Sequence, residues 1–200
     1  SGFFSRWLLR NNLAERAICV DPYYDSERGE EEAGRPILFR RRAEGAEADL
    51  LLMMDVLEHV DDDVGLLRTY LAHLKPGARC FITVPAFQFL WSAHDDFLEH
   101  KRRYTLGQLK TVAQAAGAVD ISGHYFYGAV FPMAAVVRLL RRKGEDKSDL
   151  RAYPPAINGL LASLCGIERL FMRWNKLAGL SVVLTCAAPP VETLQPTLGS

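Results

Sequence analysis

The sequence lacks an excess of charge of either sign, because lysine plus arginine and aspartate plus glutamate number 24 each. Without a net charge there is no overall field that favours nucleic acid, so we expect no nucleic-acid partner. The chain also lacks a long hydrophobic run. The longest, residues 128–137, has about half of the ~20 residues that a membrane-spanning helix needs. No secretory signal is visible in the sequence.

Cysteine is scarce. The four cysteines, Cys19, Cys80, Cys165 and Cys186, lie far apart, which is neither the close spacing of a zinc site nor the dense pattern of a disulfide scaffold. We therefore expect reduced and mostly buried thiols, which are typical of a cytoplasmic protein. A length of 200 residues suggests a single domain with a core large enough to fold alone.

Short apolar runs alternate with helical patterns along the chain. Strands are expected at 17–20, 37–39, 49–54, 79–84, 119–127 and 181–187, and helices at 3–16, 64–74, 105–116, 129–143 and 155–177. The polar residues 25–35 are expected to form a loop or a ragged helix, and Lys75-Pro76-Gly77 is expected to end the helix before it. This order predicts an α/β protein with a mostly parallel sheet, in which ligands bind beyond the carboxyl ends of the strands.

Two places at that predicted edge carry candidate binding residues. Asp21 directly follows the strand 17–20. Its carboxylate could accept hydrogen bonds from ribose hydroxyl groups, or it could bond its own backbone in a turn, and the sequence alone does not choose between them. Ser1 and Gly2 precede a helix, where a glycine lets the backbone approach a ligand closely.

The segment DVLEHVDDD directly follows the apolar run that ends at Met54. Its apolar residues offer a surface on which a flat base can stack, and Glu58 or His59 could bond the polar edges of that base. In the alternative, these two residues begin the turn before the next helix, whose start the aspartates 61–63 cap.

These segments resemble class I S-adenosylmethionine-dependent methyltransferases over residues 1 to about 127. SGFFSRWLL, AICVDP, ADLLLMMDVLEHVDDD and LKPGARCFITVPA carry the resemblance, and GLSVVLTCA near the end fits the closing antiparallel strand of that family. The resemblance implies a Rossmann-like methyltransferase fold with a mostly parallel sheet and an antiparallel last strand, and S-adenosylmethionine as the cofactor. It implies cofactor contacts from Ser1, Gly2, Asp21, Pro22, Asp55, Val56, Leu57 and His59.

Two features depart from the family pattern. The family's first strand and the first glycines of its G-x-G-x-G loop are expected just before Ser1, and the sequence does not contain them. Because loss of that central strand would leave many backbone groups unpaired, we expect the natural protein to have about 30 or more further residues upstream. Arginines at 40–42 stand where many relatives place an acidic residue, which leaves the adenine contact unassigned.

The stretch VPAFQFLWSAHDDFLEHKRRYT resembles a bacterial subgroup often associated with cell-envelope genes. Methyl transfer mainly requires alignment of donor and acceptor, and an oxygen acceptor also needs a base, for which His94 and His100 are the catalytic candidates. Arg103 could hold an acidic group of the acceptor, and Trp91 and Tyr104 could line its pocket. In the alternative, His100, Arg103 and Tyr104 tie this segment to the body of the protein.

No metal site is expected. His94, Asp95 and His100 are residue types that ligate metal ions, but no further ligand cluster in the sequence supports such a site.

The expected partner is the acceptor, a small molecule or an envelope precursor. Residues 128–143 join an apolar stretch to a basic end, a combination that could rest on a membrane surface as a peripheral contact. The alternative is a helix that covers the sheet or the acceptor site and keeps its arginines in solvent. The sequence says nothing about the oligomeric state.

We expect one methyltransferase domain over residues 1–187, with 86–104 and 128–177 as helical insertions on the acceptor side and a flexible tail over 188–200. The expected function is S-adenosylmethionine-dependent methyl transfer to a small-molecule, glycan or lipid-linked acceptor in a bacterial cytoplasm. The alternative is a non-catalytic binding module of the same fold. A reductase is disfavoured, since the segment 55–60 lacks the Ser/Tyr/Lys set that a reductase needs.

Overall fold

The computed structural model describes residues 2–44, 47–140 and 155–190. Its helices are α1 (Phe3–Arg10), α2 (Asp63–Ala72), α3 (Ala93–Phe97), α4 (Leu106–Ala115), α5 (Phe131–Leu140) and α6 (Pro155–Phe171). Its strands are β1 (Ala17–Val20), β2 (Arg28–Glu32), β3 (Arg35–Arg40), β4 (Ala48–Met54), β5 (Leu74–Pro85), β6 (Val119–Phe126) and β7 (Ser181–Ala187). Some of the expectations concern residues that the structure does not describe, namely Ser1, the basic residues 141–143 and the tail from 191 onward.

The chain divides into two compact units, Ser1–Glu47 and Ala48–Ser200, and each is described by itself. A single domain over 1–187 stays a prediction.

The first unit is a three-stranded sheet with one helix, in the strand order β1-β3-β2. β1 pairs in parallel with β3, so that Ala17 lies opposite Ile37, and β2 pairs antiparallel with β3. Leu9 of α1 packs with Ile37 and Phe39 of β3, and all three side chains are fully buried.

The prediction of a loop or ragged helix at 25–35 is wrong, because this segment contains β2. Ala33 and Gly34, with φ of 53° and 73°, form a tight turn whose twist suits two paired strands. The strand lies at the edge of the sheet, where polar side chains are tolerated, and Arg6 of α1 binds Glu32 at 2.9 Å.

Two helices end earlier than predicted. α1 stops at Arg10 rather than at residue 16, because Asn12 adopts a left-handed φ of 57°, which ends helices. α2 stops at Ala72, and Lys75-Pro76-Gly77 lies within β5 instead of at the end of the helix. The register of β5 against β4 shifts beside this tripeptide, and such an irregularity accommodates a proline within a strand.

The second unit is a four-stranded sheet in the order β4-β5-β7-β6. β4 and β5 run parallel, whereas β7 runs antiparallel to both of its neighbours. β4, β5 and β6 therefore share one direction, which confirms the prediction of a mostly parallel sheet with an antiparallel last strand. The core between sheet and helices includes Leu67 of α2, Ile82 of β5, Leu109 of α4 and Leu184 of β7, each fully buried.

Side-chain caps start two helices of this unit as predicted. Asp62 caps α2 by accepting a hydrogen bond from the backbone N–H of Gly65 at 2.8 Å. Thr105 caps α4 in a reciprocal arrangement with Gln108. Both caps satisfy N–H groups that the first turn of a helix leaves without an internal partner.

Residues 86–104 leave the sheet after β5 and return to it. Ala86 and Tyr104 form a parallel bridge, so the two ends of the segment lie side by side. Between them the chain forms a 3-10 turn at Gln88–Leu90 and the short helix α3. Within the described part of the chain, no helix has the length and apolar character to cross a membrane.

Candidate active site

Asp21 lies at the carboxyl end of β1. Its backbone N–H donates to the carbonyl oxygen of Arg40 at 3.0 Å, which extends the pairing of β1 with β3 by one residue. Its Oδ1 accepts a hydrogen bond from the backbone N–H of Tyr23 at 2.9 Å. One carboxylate oxygen therefore holds the local turn, as in the second of the two alternatives that the sequence leaves open. Pro22 is exposed in this turn.

Gly2 caps α1 in a left-handed conformation with φ of 64°. A Cβ at this position would lie 3.1 Å from Sγ of Cys19 and 3.3 Å from the ring of Phe39. A side chain there would be both strained and crowded, so the position requires glycine. Ser1, the other residue predicted at this turn, lies outside the described residues.

Asp55 lies at the corresponding end of β4, in the other unit. It adopts φ of 53°, which is uncommon for a residue other than glycine. Its backbone N–H donates to the carbonyl oxygen of Thr83 at 2.9 Å. Burial raises the pKa of the Asp55 carboxyl, against the opposing effect of a hydrogen bond from Thr83.

A 3-10 turn, Leu57–His59, follows Asp55. The Leu57 side chain is fully buried in the core, whereas Val56 is only partly buried, and cofactor contacts from both residues stay predictions. The Glu58 side chain is also fully buried, and neither carboxylate oxygen has a hydrogen-bond partner among the described residues. Burial raises the pKa of Glu58 to about 8.

The imidazoles of His59 and His100 meet edge to face beside this carboxylate, with ring centroids 4.7 Å apart. Burial and the nearby His100 lower the pKa of His59, whereas Asp55 and the backbone of Leu98 act in the opposite direction. One ligating atom from each of Glu58, His59 and His100 lies within 4.8 Å of the others. We call these three residues the Glu58 cluster.

Asp95 is the centre of a buried network behind the cluster. It is 0% exposed, and Arg103 binds it through two parallel hydrogen bonds of 2.8 Å. Nδ1 of His100 lies 2.9 Å from Oδ1 of Asp95, and the backbone N–H of Ser92 donates to Oδ2 at 2.8 Å. Burial acts to raise the pKa of Asp95, but the hydrogen bonds from Arg103 and His100 outweigh it and bring the pKa to about 2.

Tyr104 is buried beside this network. Its hydroxyl lies 2.7 Å from Oδ2 of Asp63 and 3.1 Å from the carbonyl oxygen of Leu57. Burial and the neighbouring Asp63 raise the pKa of the Tyr104 hydroxyl. The bonds of Tyr104 join the 86–104 segment to the start of α2.

Two further predicted residues lie on the outer part of the same segment. Trp91 donates from Nε1 to Oδ1 of Asp96 at 2.9 Å. His94 lies on α3 and is partly buried, and it is not one of the residues that form the Glu58 cluster.

A family model described as "Methyltransferase domain" matches residues 1–122, which is more than half of the chain. The chain belongs to this methyltransferase-domain family. The methyltransferase domain accordingly has the Rossmann-like class I fold that the sequence predicts, and S-adenosylmethionine stays the expected cofactor. No curated protein matches it significantly.

Solved structures that resemble the methyltransferase domain are remote in sequence. An S-adenosylmethionine-dependent methyltransferase from Mesorhizobium loti is 14% identical, with a TM-score of 0.52 and coverage of 93% of this chain and 86% of the other. A complex of the Haloferax volcanii Trm112 methyltransferase activator with a methyltransferase gives 13% identity, a TM-score of 0.54, and coverage of 94% and 78%. At such identities the likeness shows the fold alone.

Phosphoethanolamine N-methyltransferase 2 of Haemonchus contortus, solved with S-adenosyl-L-methionine, is 15% identical with a TM-score of 0.45. The match covers 80% of this chain but only 38% of that one. The methyltransferase domain thus spans well under half of this relative's length.

The structure brings some predicted residues of the methyltransferase domain together. His59 and His100 meet in the Glu58 cluster, and Gly2 and Asp21 both lie next to β1. Since Gly2 and Asp21 belong to one unit and Asp55 to the other, their convergence on one cofactor stays a prediction. For Arg103 and Tyr104 the contacts support the alternative, in which these side chains tie the segment to the body.

The roles of two residues at the centre of the candidate site, Glu58 and Asp95, were not predicted from the sequence. The sequence indicates Asp95 only as an unsupported metal ligand, and Glu58 either as a partner for the edge of a base or as part of the turn before the next helix. One signal does mark Asp95 in the sequence: it stands at the third helical position after Ser92 and completes a capping box. No comparable signal marks Glu58 as fully buried, because burial of its turn depends on the 86–104 segment that covers it.

Proposed function

We propose that this domain transfers the methyl group of S-adenosylmethionine to a small-molecule, glycan or lipid-linked acceptor. The observation that carries the proposal is the Glu58 cluster, which follows the carboxyl end of β4, the place where ligands bind in sheets of this kind. A buried carboxylate without partners costs folding free energy. Such perturbed groups collect at sites where chemistry takes place.

Gly2, Asp21 and Asp55 are the proposed cofactor residues, with Val56 beside Asp55. Asp21 uses Oδ1 for its own turn, and its second carboxylate oxygen can accept a hydrogen bond from a ribose hydroxyl. S-adenosylmethionine supplies an activated methyl group. The domain's own residues therefore have to hold and align the acceptor and exclude water.

His100 is the better supported of the two predicted bases. Asp95 stays ionised and binds Nδ1 of His100, which leaves the lone pair on Nε2 free to accept a proton from the acceptor. Among the residues that the structure describes, no carboxylate holds His94 in this way. Arg103 is fully engaged with Asp95, so the residue that would bind an acidic group of the acceptor is unassigned.

A peripheral membrane contact would suit a lipid-linked acceptor. The end of α6 and the residues after it expose apolar side chains, with Leu170 72%, Trp174 74% and Leu177 88% exposed. Exposed apolar residues grouped in this way are typical of interaction surfaces. Arg138 of the neighbouring basic stretch is engaged with the carbonyl oxygen of Leu90 at 2.7 Å. The bacterial cytoplasm remains the expected compartment.

Calorimetric titration with S-adenosylhomocysteine tests the proposal. We expect saturable heat at micromolar ligand, and Asp21→Asn should weaken binding by about tenfold, or ~1.4 kcal/mol, because an amide is a weaker acceptor than a carboxylate. Asp25→Asn, which changes an exposed aspartate of the same loop, should bind as the wild type does.

An absence of heat at high micromolar ligand would count heavily against the proposal. Binding without transfer of a labelled methyl group to any component of a cell extract would favour the non-catalytic binding module instead.

A further inference from the structure

We propose that Glu58, His59 and His100 bind a divalent transition-metal ion. This departs from the expectation that the domain has no metal site. One carboxylate and two imidazoles form a donor set that first-row divalent ions such as Zn²⁺, Fe²⁺, Mn²⁺ and Co²⁺ accept. The ligating atoms lie within 4.8 Å of one another, so a single ion between them needs only small adjustments of the side chains.

The unpaired carboxylate of Glu58 is the first independent indication. It is 0% exposed, and both oxygens lack hydrogen-bond partners among the described residues. A buried carboxylate without a partner is rare, because its desolvation is not offset. A bound cation would supply the missing partner.

The carboxylate behind His100 is a second indication. Metal-binding histidines usually donate their second ring nitrogen to a carboxylate or a backbone carbonyl, which fixes the tautomer and leaves the first nitrogen free to ligate. His100 has such a partner in Asp95, at 2.9 Å, and Asp95 is in turn clamped by Arg103.

The local charge balance also favours a cation. Asp55, Glu58 and Asp95 carry three carboxylates around the two imidazoles, and each appears among the groups whose charges act on Glu58 or His59. Arg103 is the cation that acts on Glu58. The carboxylates around the two imidazoles outnumber the neighbouring cation, which favours a divalent ion between the imidazoles.

Three protein ligands leave open positions on the ion, as in catalytic metal sites. If the proposed function also holds, an acceptor hydroxyl could occupy one of them, and the ion would lower the pKa of that hydroxyl, while His100 would serve as a ligand instead of as the base. The metal proposal itself does not depend on that function, because all three ligands belong to one unit and binding is measured without cofactor.

Co²⁺ titration of the chelator-treated full chain, followed by visible absorption, tests the site. We expect one Co²⁺ per chain with ligand-field bands of a four- or five-coordinate ion, and displacement of Co²⁺ by one equivalent of Zn²⁺. Glu58→Gln and His100→Gln should each weaken binding at least tenfold. His94→Gln and Asp120→Asn, which change a histidine of the same segment and an exposed aspartate, should leave binding unchanged.

Circular dichroism would establish that each variant is folded, and Glu58→Gln keeps the shape of the side chain if His100→Gln does not fold. The proposal is overturned by an absence of stoichiometric binding. It is also overturned by equal binding in Glu58→Gln and the wild type, or by near-ultraviolet thiolate bands that assign the ion to cysteine. If S-adenosylhomocysteine binds in the calorimetric titration but Co²⁺ does not bind, only the metal proposal is wrong. If Co²⁺ binds but S-adenosylhomocysteine does not, only the proposed function is wrong.

Discussion

Replacing Arg103 by methionine should destabilise the second unit strongly. The change leaves the Asp95 carboxylate fully buried without the guanidinium that binds it through two 2.8 Å hydrogen bonds, and it also removes a donor from the carbonyl oxygen of Ala86. Breaking a buried ion pair by removing one partner typically costs ~3–5 kcal/mol. For a domain of this size that corresponds to a decrease in melting temperature of roughly 6–20 °C.

The pH dependence gives the prediction a second, independent readout. Asp95 has a folded-state pKa of about 2, below the ordinary value of 3.8. Its contribution to stability is therefore present above pH 3.8 and is lost as the pH falls through 2, which amounts to about 2–3 kcal/mol. In Arg103→Met the pKa of Asp95 should rise, because burial is no longer opposed by the guanidinium. The stability difference between variant and wild type should thus shrink on acidification.

Urea unfolding followed by circular dichroism, at neutral pH and in steps down to pH 3.5, measures both effects. Lys101→Met is the matched control, since Lys101 pairs with Asp61 at an exposed position, and surface pairs contribute little. Addition of Asp95→Asn to Arg103→Met removes the unpaired charge and should recover part of the loss. The reasoning is refuted if Arg103→Met and Lys101→Met unfold at the same urea concentration, or if their difference does not depend on pH.

Two further predictions concern the same unit. Tyr104→Phe leaves Oδ2 of Asp63 and the carbonyl oxygen of Leu57 short of a donor, so the free energy of unfolding should fall by about 1–2 kcal/mol; an unchanged midpoint in urea would contradict this. If the exposed apolar group near the end of α6 contacts membranes, the protein should co-float with vesicles that contain phosphatidylglycerol, and Leu170→Glu should reduce binding by about tenfold. Equal flotation of Leu170→Glu and wild type would exclude this surface as the contact.

Strands with continuous apolar runs could be predicted from the sequence. The apolar runs 49–54 and 181–187 become β4 and β7 with at most one residue of difference, because apolar runs of four to eight residues have the length of a strand and are too short for most helices. β2 escaped prediction, since its residues are polar and only the backbone of Ala33 and Gly34 turns it back onto β3. The pairing of β2 with β3 thus depends on a turn conformation with positive φ, which alanine rarely adopts.

In the candidate site, the sequence does not predict which of two similar side chains is buried or paired. Asp95 and Asp96 are chemically identical neighbours, yet Asp95 is fully buried and Asp96 is exposed. Likewise, His94 and His100 belong to one short polar stretch, and only His100 receives a carboxylate partner. The residue types in the sequence indicate that residues 86–104 belong to the candidate site. The contacts of each side chain depend on how this segment packs on the turn after β4, and the spacing of residues in the sequence does not predict that packing.

The position of β7 has a consequence for synthesis of the protein. Among the strands that the structure describes, β7 is translated last, yet it lies between β5 and β6 in the sheet. A nascent chain that has emerged only as far as β6 therefore has β5 and β6 without the neighbour that each of them needs, and their unpaired edges are open to other chains. β5 and β6 can pair with β7 only when residues 181–187 have left the ribosome. A stop codon shortly before these residues would therefore release a chain that lacks the strand between β5 and β6.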